Sequence, residues 1–197
     1  VELNKIFLEV IIANEFEKDA LQILKKKKNL RLINSNNSIK SNMNSYVSNF
    51  NSILIQSSNI EKFNKKDFKV VSKRKPSSKQ LNNLIFAFNV CKHVKSNAIV
   101  IANNKSTLGI GSGQPNRLDS CKIAIEKMNK FRPDNFENSV AASDAFFPFV
   151  DGIEKLVQAG VSAIIQPYGS MRDKEIIKFA NQTNTVLVFS KTRHFKH

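Results

Sequence analysis

Short apolar runs rich in β-branched residues alternate with stretches of helical periodicity, and this alternation constrains the fold more than any other feature. Residues 98–102 are typical of a buried strand, 103–105 of a turn, and 107–111 of a returning strand. A helical pattern follows Pro115. Because one strand returns through a tight turn while the others are separated by helices, the sequence predicts an α/β fold with a mixed sheet flanked by helices.

The clearest helix begins after Pro76. Ser77 can cap its first turn, and Gln80 three residues later completes a capping-box pattern. Leu81, Leu84, Ile85 and Phe88 then supply an apolar face at helical spacing. Weaker patterns predict further strands, further helices and an Asn- and Ser-rich loop. The strands are expected at 7–13, 29–32, 53–56, 70–72, 163–166 and 186–190, the helices at 19–27 and 173–181, and the loop at 34–51.

The net charge of +15 would ordinarily indicate a polyanionic partner. However, only six of the 31 basic residues are Arg, and the abundant Lys, Asn, Ile and Phe are residues of A/T-rich codons. Genome composition therefore explains the excess, and we expect no specific nucleic-acid binding. A basic nucleic-acid binder stays as an alternative, and a phosphorylated small molecule would suit the same charge.

The two cysteines, Cys91 and Cys121, form no CxxC motif, and the chain holds three histidines. The H-x-E and P-C-x-x-C strings of zinc deaminases are missing, so we expect neither a disulfide nor a zinc site. No apolar run reaches the 18 residues of a membrane span. Val1 is not a Met, which suggests a piece of a longer chain, and we expect a cytoplasmic protein without a membrane partner.

Three motifs could carry chemistry. GIGSGQ at 109–114 could let the backbone approach a ligand, as in a dinucleotide site, or could be a structural tight turn. SDAFFPF at 143–149 could be a kinked core plug or an aromatic wall for a flat heterocycle. RHFKH at 193–197 could be a frayed tail, although the preceding predicted strand would tie it down.

The order and spacing of these motifs resemble the transformylase domain of the AICAR transformylase/IMP cyclohydrolase family. The segments that carry the resemblance are SNAIV at 96–100, GIGSGQPNR at 109–117, SDAFFPF, QPYGSMRD at 166–173 and RHFKH. Earlier segments agree, namely IFLEVIIA at 6–13, LQILKKKKNLRL at 21–32 and FNVCKHVKSNAIV at 88–100. The resemblance therefore extends nearly from end to end.

The resemblance implies a formyltransferase. Such enzymes transfer a formyl group from the cosubstrate 10-formyltetrahydrofolate to the 5-amino group of AICAR, and a separate N-terminal domain then closes the ring to IMP. The family's transformylase domain has two cytidine-deaminase-like lobes without zinc and works as a homodimer with its active sites at the interface. By this resemblance, 1–75 is the end of the first lobe with a connection, and 76–197 is the second lobe.

The resemblance also assigns ligand contacts by position. The contacts to AICAR fall on Asn97, Arg117, Phe146 and Arg193. The contacts along the folate site fall on Leu118, Asp151, Ser170 and Met171. Pro148 is expected to shape the wall of the pocket, and His197 to close it.

No catalytic residue is expected within the chain. The family's catalytic Lys-His pair precedes a Pro-Gly loop in the first lobe, which places it upstream of Val1. The pairs at 92–93 and 196–197 match other positions of the family instead. We therefore expect the chain to be inactive alone, as part of a longer enzyme; the alternative is a non-catalytic remnant that only dimerises or binds a ligand.

Overall fold

The computed structural model describes residues 2–35, 44–57, 59, 65–134 and 138–196. The chain divides into two compact units, Val1–Ser58 and Asn59–His197. Within the described ranges, no helix is long and apolar enough to cross a membrane. The division at 75/76 into two lobes rests on the resemblance and stays a prediction about the longer protein.

The first unit contains two small sheets and a short helix. Its elements are a 3-10 helix at Glu2–Lys5, strand β1 at Val10–Ala13, helix α1 at Lys18–Leu24, and strands β2 at Arg31–Asn34, β3 at Asn44–Asn49 and β4 at Ser52–Ser57. β1 and β2 pair in parallel, and β3 and β4 pair antiparallel. The strand predicted at 7–13 is shorter than expected, and it is not buried, because Ile12 is exposed in this unit.

The loop predicted over 34–51 is partly wrong. Residues 36–43 lie outside the described part, but Asn44–Asn49 is strand β3, with Tyr46 opposite Ile55 and Val47 opposite Leu54. Its Asn and Ser residues have low strand propensity, which is why the pattern indicated a loop. Pairing with the apolar strand β4 overrides that local preference.

The second unit is built on one mixed sheet. Its elements are a 3-10 helix at Lys65–Asp67, β5 at Phe68–Val70, α2 at Ser78–Cys91, β6 at Ile99–Asn103, β7 at Ser106–Gly111, α3 at Arg117–Phe131, β8 at Val140–Ser143, α4 at Val150–Gln158, β9 at Ala163–Pro167, α5 at Asp173–Gln182 and β10 at Val186–Ser190. The strand order is β5-β10-β9-β8-β6-β7. β8, β9 and β10 are parallel, whereas β6 is antiparallel to both β7 and β8. The predicted mixed sheet is confirmed.

Helices cover both faces of this sheet. Successive strand residues point to opposite faces, so Ile101 packs with α3, α4 and α5 while its neighbour Val100 packs with α2. The same alternation places Ile164 on the first face and Ile165 on the second. A sheet covered on both sides explains why its strands appear as nearly continuous apolar runs in the sequence.

Helix α2 begins as the sequence predicts. The Gln80 amide donates to the Ser77 hydroxyl at 3.2 Å, and the Ser77 amide donates to the Gln80 side chain at 3.0 Å, which forms the capping box. The buried face is wider than predicted, because Gln80 and Asn83 are also buried. Each is satisfied by a partner on the sheet side: Ser162 for Gln80 and Asn103 for Asn83.

Gly109 and Gly111 bring β7 against α3. A Cβ atom on Gly109 would lie 1.9 Å from the carbonyl oxygen of Ala124, and one on Gly111 would lie 1.9 Å from that of Ser120. These two glycines of the GIGSGQ motif therefore permit close strand–helix packing. The structure gives no support to the alternative in which they let the backbone approach a ligand.

Strand β8 is absent from the sequence-based prediction. Its four residues, Val140–Ser143, contain two alanines, and alanine is depleted in strands. The strand nevertheless lies in the middle of the sheet, between β6 and β9, and all four of its residues are buried. Hydrogen bonding from both sides therefore decides its conformation.

Candidate functional site

The predicted ligand residues lie along one edge of the sheet, where several strands end. The parallel strands β8, β9 and β10 all end there, and β7 also ends there because Ile99 at the start of β6 pairs with both Gly111 and Ser143. In open α/β sheets, ligands bind in the crevice outside the carboxyl ends of the strands. The residues predicted to bind ligands lie just beyond these strand ends or, for Asn97, just before β6.

Arg117 is held by three hydrogen bonds at this edge. It is the first residue of α3, whose N-cap Asn116 accepts a hydrogen bond from the Asp119 amide at 2.8 Å. Its Nε donates to the Ser143 hydroxyl at 2.9 Å, its Nη1 to the Phe146 carbonyl at 3.3 Å, and its Nη2 to Asp144 Oδ1 at 2.6 Å. The guanidinium is therefore fixed, and two of its five N–H groups have no partner among the described residues.

Asn97 closes the loop before α3. Its side-chain NH2 group donates to the main-chain carbonyls of Gln114 and Pro115 at 2.9 and 3.0 Å. The main-chain carbonyl of Asn97 accepts from the Ser120 hydroxyl at 2.7 Å. The peptide bond before it, from Ser96, is cis. Because both amide hydrogens are used within the protein, the side-chain oxygen is the group left to accept a hydrogen bond.

A cavity of about 340 Å³ opens beside Arg117. Its walls are formed by Asn116, Arg117, Leu118, Asp119, Lys122, Phe147, Pro148, Phe149, Asp151 and Gly152. Four predicted residues lie in this wall, namely Arg117, Leu118, Pro148 and Asp151. The structure thus brings together residues assigned to AICAR, to folate and to the shape of the pocket.

The loop after β9 approaches the same cavity through a stacking contact. The Arg172 guanidinium lies 4.7 Å from the ring centre of Phe149, which is a cavity wall residue. Ser170 Oγ accepts a hydrogen bond from the Arg172 amide at 3.1 Å, and the Met171 side chain is fully exposed. The predicted folate residues Ser170 and Met171 therefore lie on the rim of the cavity and not in its wall. The resemblance assigned no role to Arg172.

The C-terminal tail is tied to this edge. The His194 amide donates to the Asp144 carbonyl at 2.9 Å, and Ser96 and Lys196 exchange hydrogen bonds at 2.8 and 3.0 Å. The Arg193 side chain is exposed, with its guanidinium 4.6 Å from the Phe195 ring centre. The frayed-tail alternative is thus wrong for residues 193–196, whereas the prediction for His197 falls outside the described residues.

His194 is the buried residue of the tail. Its ring lies 4.4 Å from that of Phe88, and Nδ1 lies 2.8 Å from the Asn59 side-chain amide. Burial, followed by the charge of Lys92, lowers the pKa of His194 to about 4, against an opposing effect of Asp144. The imidazole is therefore neutral near pH 7.

This shift predicts that acid weakens the tail anchor. The folded-state pKa lies below the ordinary value of 6.5, so the unfolded state binds the extra proton and stability falls as pH drops from 6.5 towards 4. We expect a His194→Gln variant to lose less stability than the wild type between pH 7 and 5, as measured by urea midpoints. The matched control is His93→Gln, at an exposed position, and equal pH slopes in all three proteins would contradict the prediction.

Two buried polar groups at this edge were missed by the sequence analysis. Asp144 is wholly buried, and its Oδ2 has no hydrogen-bond partner among the described residues. Gln166, the fourth residue of β9, is also wholly buried, and neither atom of its amide finds a partner in that part of the chain. Buried polar groups are almost always paired, so each is a place where a buried water molecule is expected. An unsatisfied side chain gives no local sequence signal.

In the described part of the chain, no group of three His, Cys, Asp or Glu residues could hold a metal ion. Cys91 and Cys121 are free and buried. Burial raises the pKa of Cys121 to about 12 and that of Cys91 well above its ordinary value. Both thiols are therefore unreactive packing residues.

Comparison with known proteins gives the class. The sequence model of the AICARFT/IMPCHase bienzyme family matches residues 1–127. The chain therefore belongs to this family. A solved structure of RibD from Acinetobacter baumannii (form 2) aligns with 55% of this chain and 33% of the RibD chain, at 11% identity and a TM-score of 0.35. This TM-score is too low for the similarity to bear on the fold.

Curated relatives give a narrower match. The chain is 47% identical over 197 residues to the bifunctional purine biosynthesis protein PurH of Persephonella marina, covering 99% of this chain and 38% of the relative. It is 46% identical to PurH of Ligilactobacillus salivarius, over 100% of this chain and 38% of that relative. It is 45% identical to PurH of Buchnera aphidicola subsp. Schizaphis graminum, over 99% of this chain and 37% of that relative. The chain thus spans less than two-fifths of these relatives and matches part of a bifunctional enzyme of purine biosynthesis.

Proposed function

We propose that this chain is the C-terminal part of the AICAR formyltransferase of a cytoplasmic bifunctional enzyme, with its second unit a cytidine-deaminase-like lobe that needs no zinc. The observation that carries the proposal is the fixed Arg117, with two free N–H groups, on a cavity that Leu118 and Asp151 also line. The relatives, all purine biosynthesis proteins, support it. The cyclohydrolase activity is proposed to reside in an N-terminal domain of the parent chain.

The free groups of the site complement the chemistry of AICAR, which carries a carboxamide, a flat imidazole and a phosphate. The two remaining N–H groups of Arg117 can donate to a carbonyl oxygen, and the side-chain oxygen of Asn97 can accept from an amide nitrogen. Phe146 offers an aromatic surface. Arg193 is exposed and forms no ion pair with any residue that the structure describes, so its charge is available to an anionic or carbonyl group.

In the proposed reaction, the 5-amino nitrogen of AICAR bonds to the formyl carbon, and the bond from that carbon to N10 of the folate breaks. The amine loses a proton, and N10 gains one. The amine is a poor nucleophile because its lone pair is delocalised into the ring, so orientation of both substrates supplies much of the catalysis. The developing oxyanion and the proton transfer need further groups, which we assign to the Lys-His pair expected upstream.

We further propose that the enzyme is a homodimer whose partner subunit completes each site. Phe149, Tyr168 and Met171 support this, since they expose apolar side chains on and beside the loop that stacks against the cavity wall. Neighbouring exposed apolar residues mark a surface that another protein surface can cover. The Lys-His pair of the other subunit would then face this chain's AICAR residues.

The test is formyl transfer by the full-length protein. We expect AICAR and 10-formyltetrahydrofolate to give the 5-formamido product and tetrahydrofolate, with IMP following if the cyclohydrolase domain is present. A full-length protein that binds AICAR but transfers no formyl group would favour the non-catalytic remnant. One that binds neither substrate would overturn the proposal.

The Arg193→Ala variant tests whether the C-terminal tail binds AICAR through Arg193. Loss of charge-assisted hydrogen bonds costs about 1.5–3 kcal/mol each, so kcat/KM for AICAR should fall by about tenfold to more than a hundredfold. Because Arg193 is exposed, the melting temperature should not change. The control is Lys191→Ala, another exposed cation after β10, and equal kinetics for both variants would exclude Arg193 from substrate binding.

A further inference from the structure

Asp144 joins the segments that carry the proposed AICAR residues. It follows β8, and its side chain is wholly buried. Its main-chain amide donates to the Ala98 carbonyl at 3.2 Å, next to Asn97, and its main-chain carbonyl accepts from the His194 amide at 2.9 Å, next to Arg193. One residue therefore connects the start of β6, the end of β8 and the C-terminal tail.

The side chain of Asp144 connects these three segments to a fourth, the start of α3. Its Oδ1 accepts from Arg117 Nη2 at 2.6 Å, and the side chains of the pair are 9% exposed for Arg117 and 0% for Asp144. A buried ion pair is weak evidence for stability, because desolvation of both charges offsets their attraction. The better explanation for its presence is orientation: a carboxylate fixes the plane of the guanidinium in a way that water cannot.

The three protein contacts of Arg117 leave one N–H on Nη1 and one on Nη2. Ser143 and Asp144 accept from Nε and Nη2, which share one edge of the guanidinium, and the Phe146 carbonyl accepts from Nη1. Without the carboxylate, the guanidinium could rotate about the Cδ–Nε bond of Arg117. Its free N–H groups would then no longer point in one fixed direction. Small misplacements of this kind can cost about a hundredfold in rate.

We propose that Asp144 is a positioning residue for AICAR: it does not touch the substrate, but sets the orientation of Arg117 and the spacing of Arg117 from Asn97 and Arg193. The inference rests on the proposed function. It places the residue that organises AICAR binding outside the set of predicted ligand contacts.

The experiment is AICAR binding and formyl transfer by the full-length enzyme with Asp144→Asn, which keeps the size and one acceptor oxygen but removes the charge. We expect KM and Kd for AICAR to rise by about tenfold to a hundredfold, while KM for 10-formyltetrahydrofolate changes little. Asp134→Asn, the same substitution at an exposed position of the same unit, should match the wild type. Unchanged AICAR affinity in folded Asp144→Asn would overturn the inference.

A double-mutant cycle separates positioning from a general structural role. If Asp144 acts through Arg117, the combined variant with Arg117→Lys should bind AICAR no more weakly than Arg117→Lys alone. Fully additive losses would overturn the inference.

If Asp144→Asn does not fold, Ser143→Ala tests whether the contacts that orient Arg117 affect AICAR binding. It removes another contact of Arg117, at 2.9 Å, with a change of one atom, and should weaken AICAR binding in the same direction by a smaller factor. An Asp144→Asn variant that does not fold, together with wild-type affinity in Ser143→Ala, would overturn the inference. The proposed function fails in a different way, since the wild-type full-length protein would then neither bind AICAR nor transfer the formyl group.

Discussion

Replacing Arg117 by Ala in the full-length enzyme should lower kcat/KM for AICAR by at least about a hundredfold. The variant removes two donors free for the substrate, and charge-assisted hydrogen bonds are worth about 1.5–3 kcal/mol each. It also leaves Asp144 as a buried charge without its partner, which by itself costs about 3–5 kcal/mol of stability. The assay is initial-rate kinetics with both substrates varied, with a melting curve for each variant.

Arg117→Lys separates the two effects. Lysine keeps a positive charge near Asp144 but cannot form the planar fork that holds Ser143 and the Phe146 carbonyl together. We expect it to fold and still to lose most of the AICAR-dependent activity. Arg132→Ala, at the exposed far end of α3, is the matched control. Normal kinetics in both Arg117 variants would remove this residue from the site.

Alanine at Gly109 or Gly111 should destabilise the second unit by at least about 3 kcal/mol. The new Cβ atom would lie 1.9 Å from a carbonyl oxygen of α3, and the backbone of a packed helix cannot yield as a flexible side chain can. Overpacking commonly costs about 1–3 kcal/mol, and a clash with rigid backbone belongs at the upper end or beyond. Urea unfolding gives the magnitude, and amide hydrogen exchange in α3 shows the location.

Gly113→Ala is the control for the glycine variants. Gly113 has φ of +68°, and a Cβ there would meet nothing closer than 4.0 Å, so the cost should be only the backbone strain of about 1–2 kcal/mol. If Gly109→Ala and Gly111→Ala were no more destabilising than Gly113→Ala, close packing would not be the reason for these glycines. Their role would then have to be sought at the ligand site.

Local signals predicted much of the fold correctly. The capping box of Ser77 and Gln80 starts α2, and the hairpin turn falls on Asn104 and Lys105, which both have positive φ. The strands β6, β7, β9 and β10 also lie where the apolar runs predict them. Each of these features depends on residues within a few positions of one another, which is why a single sequence can reveal them.

The site was predicted by resemblance more than by local chemistry. Motif positions placed Arg117, Leu118, Pro148 and Asp151, and the structure finds these residues on one cavity. The resemblance gave no role to Asp144, Arg172 or Gln166. Their significance depends on contacts with distant residues or on the lack of them, and neither leaves a pattern in the neighbouring sequence.

The sequence by itself determined the alternation of strands and helices, the capped start of α2, and membership of the family, because these depend on periodicity, short-range sterics and motif order. Only the tertiary structure decided that the weak β8 segment is a central strand, that Gly109 and Gly111 face a helix, and that Asp144 holds Arg117 across 27 positions of the chain. The reason is physical: burial and pairing between distant segments are worth more than the local preferences of either segment, and they exist only once the chain has folded.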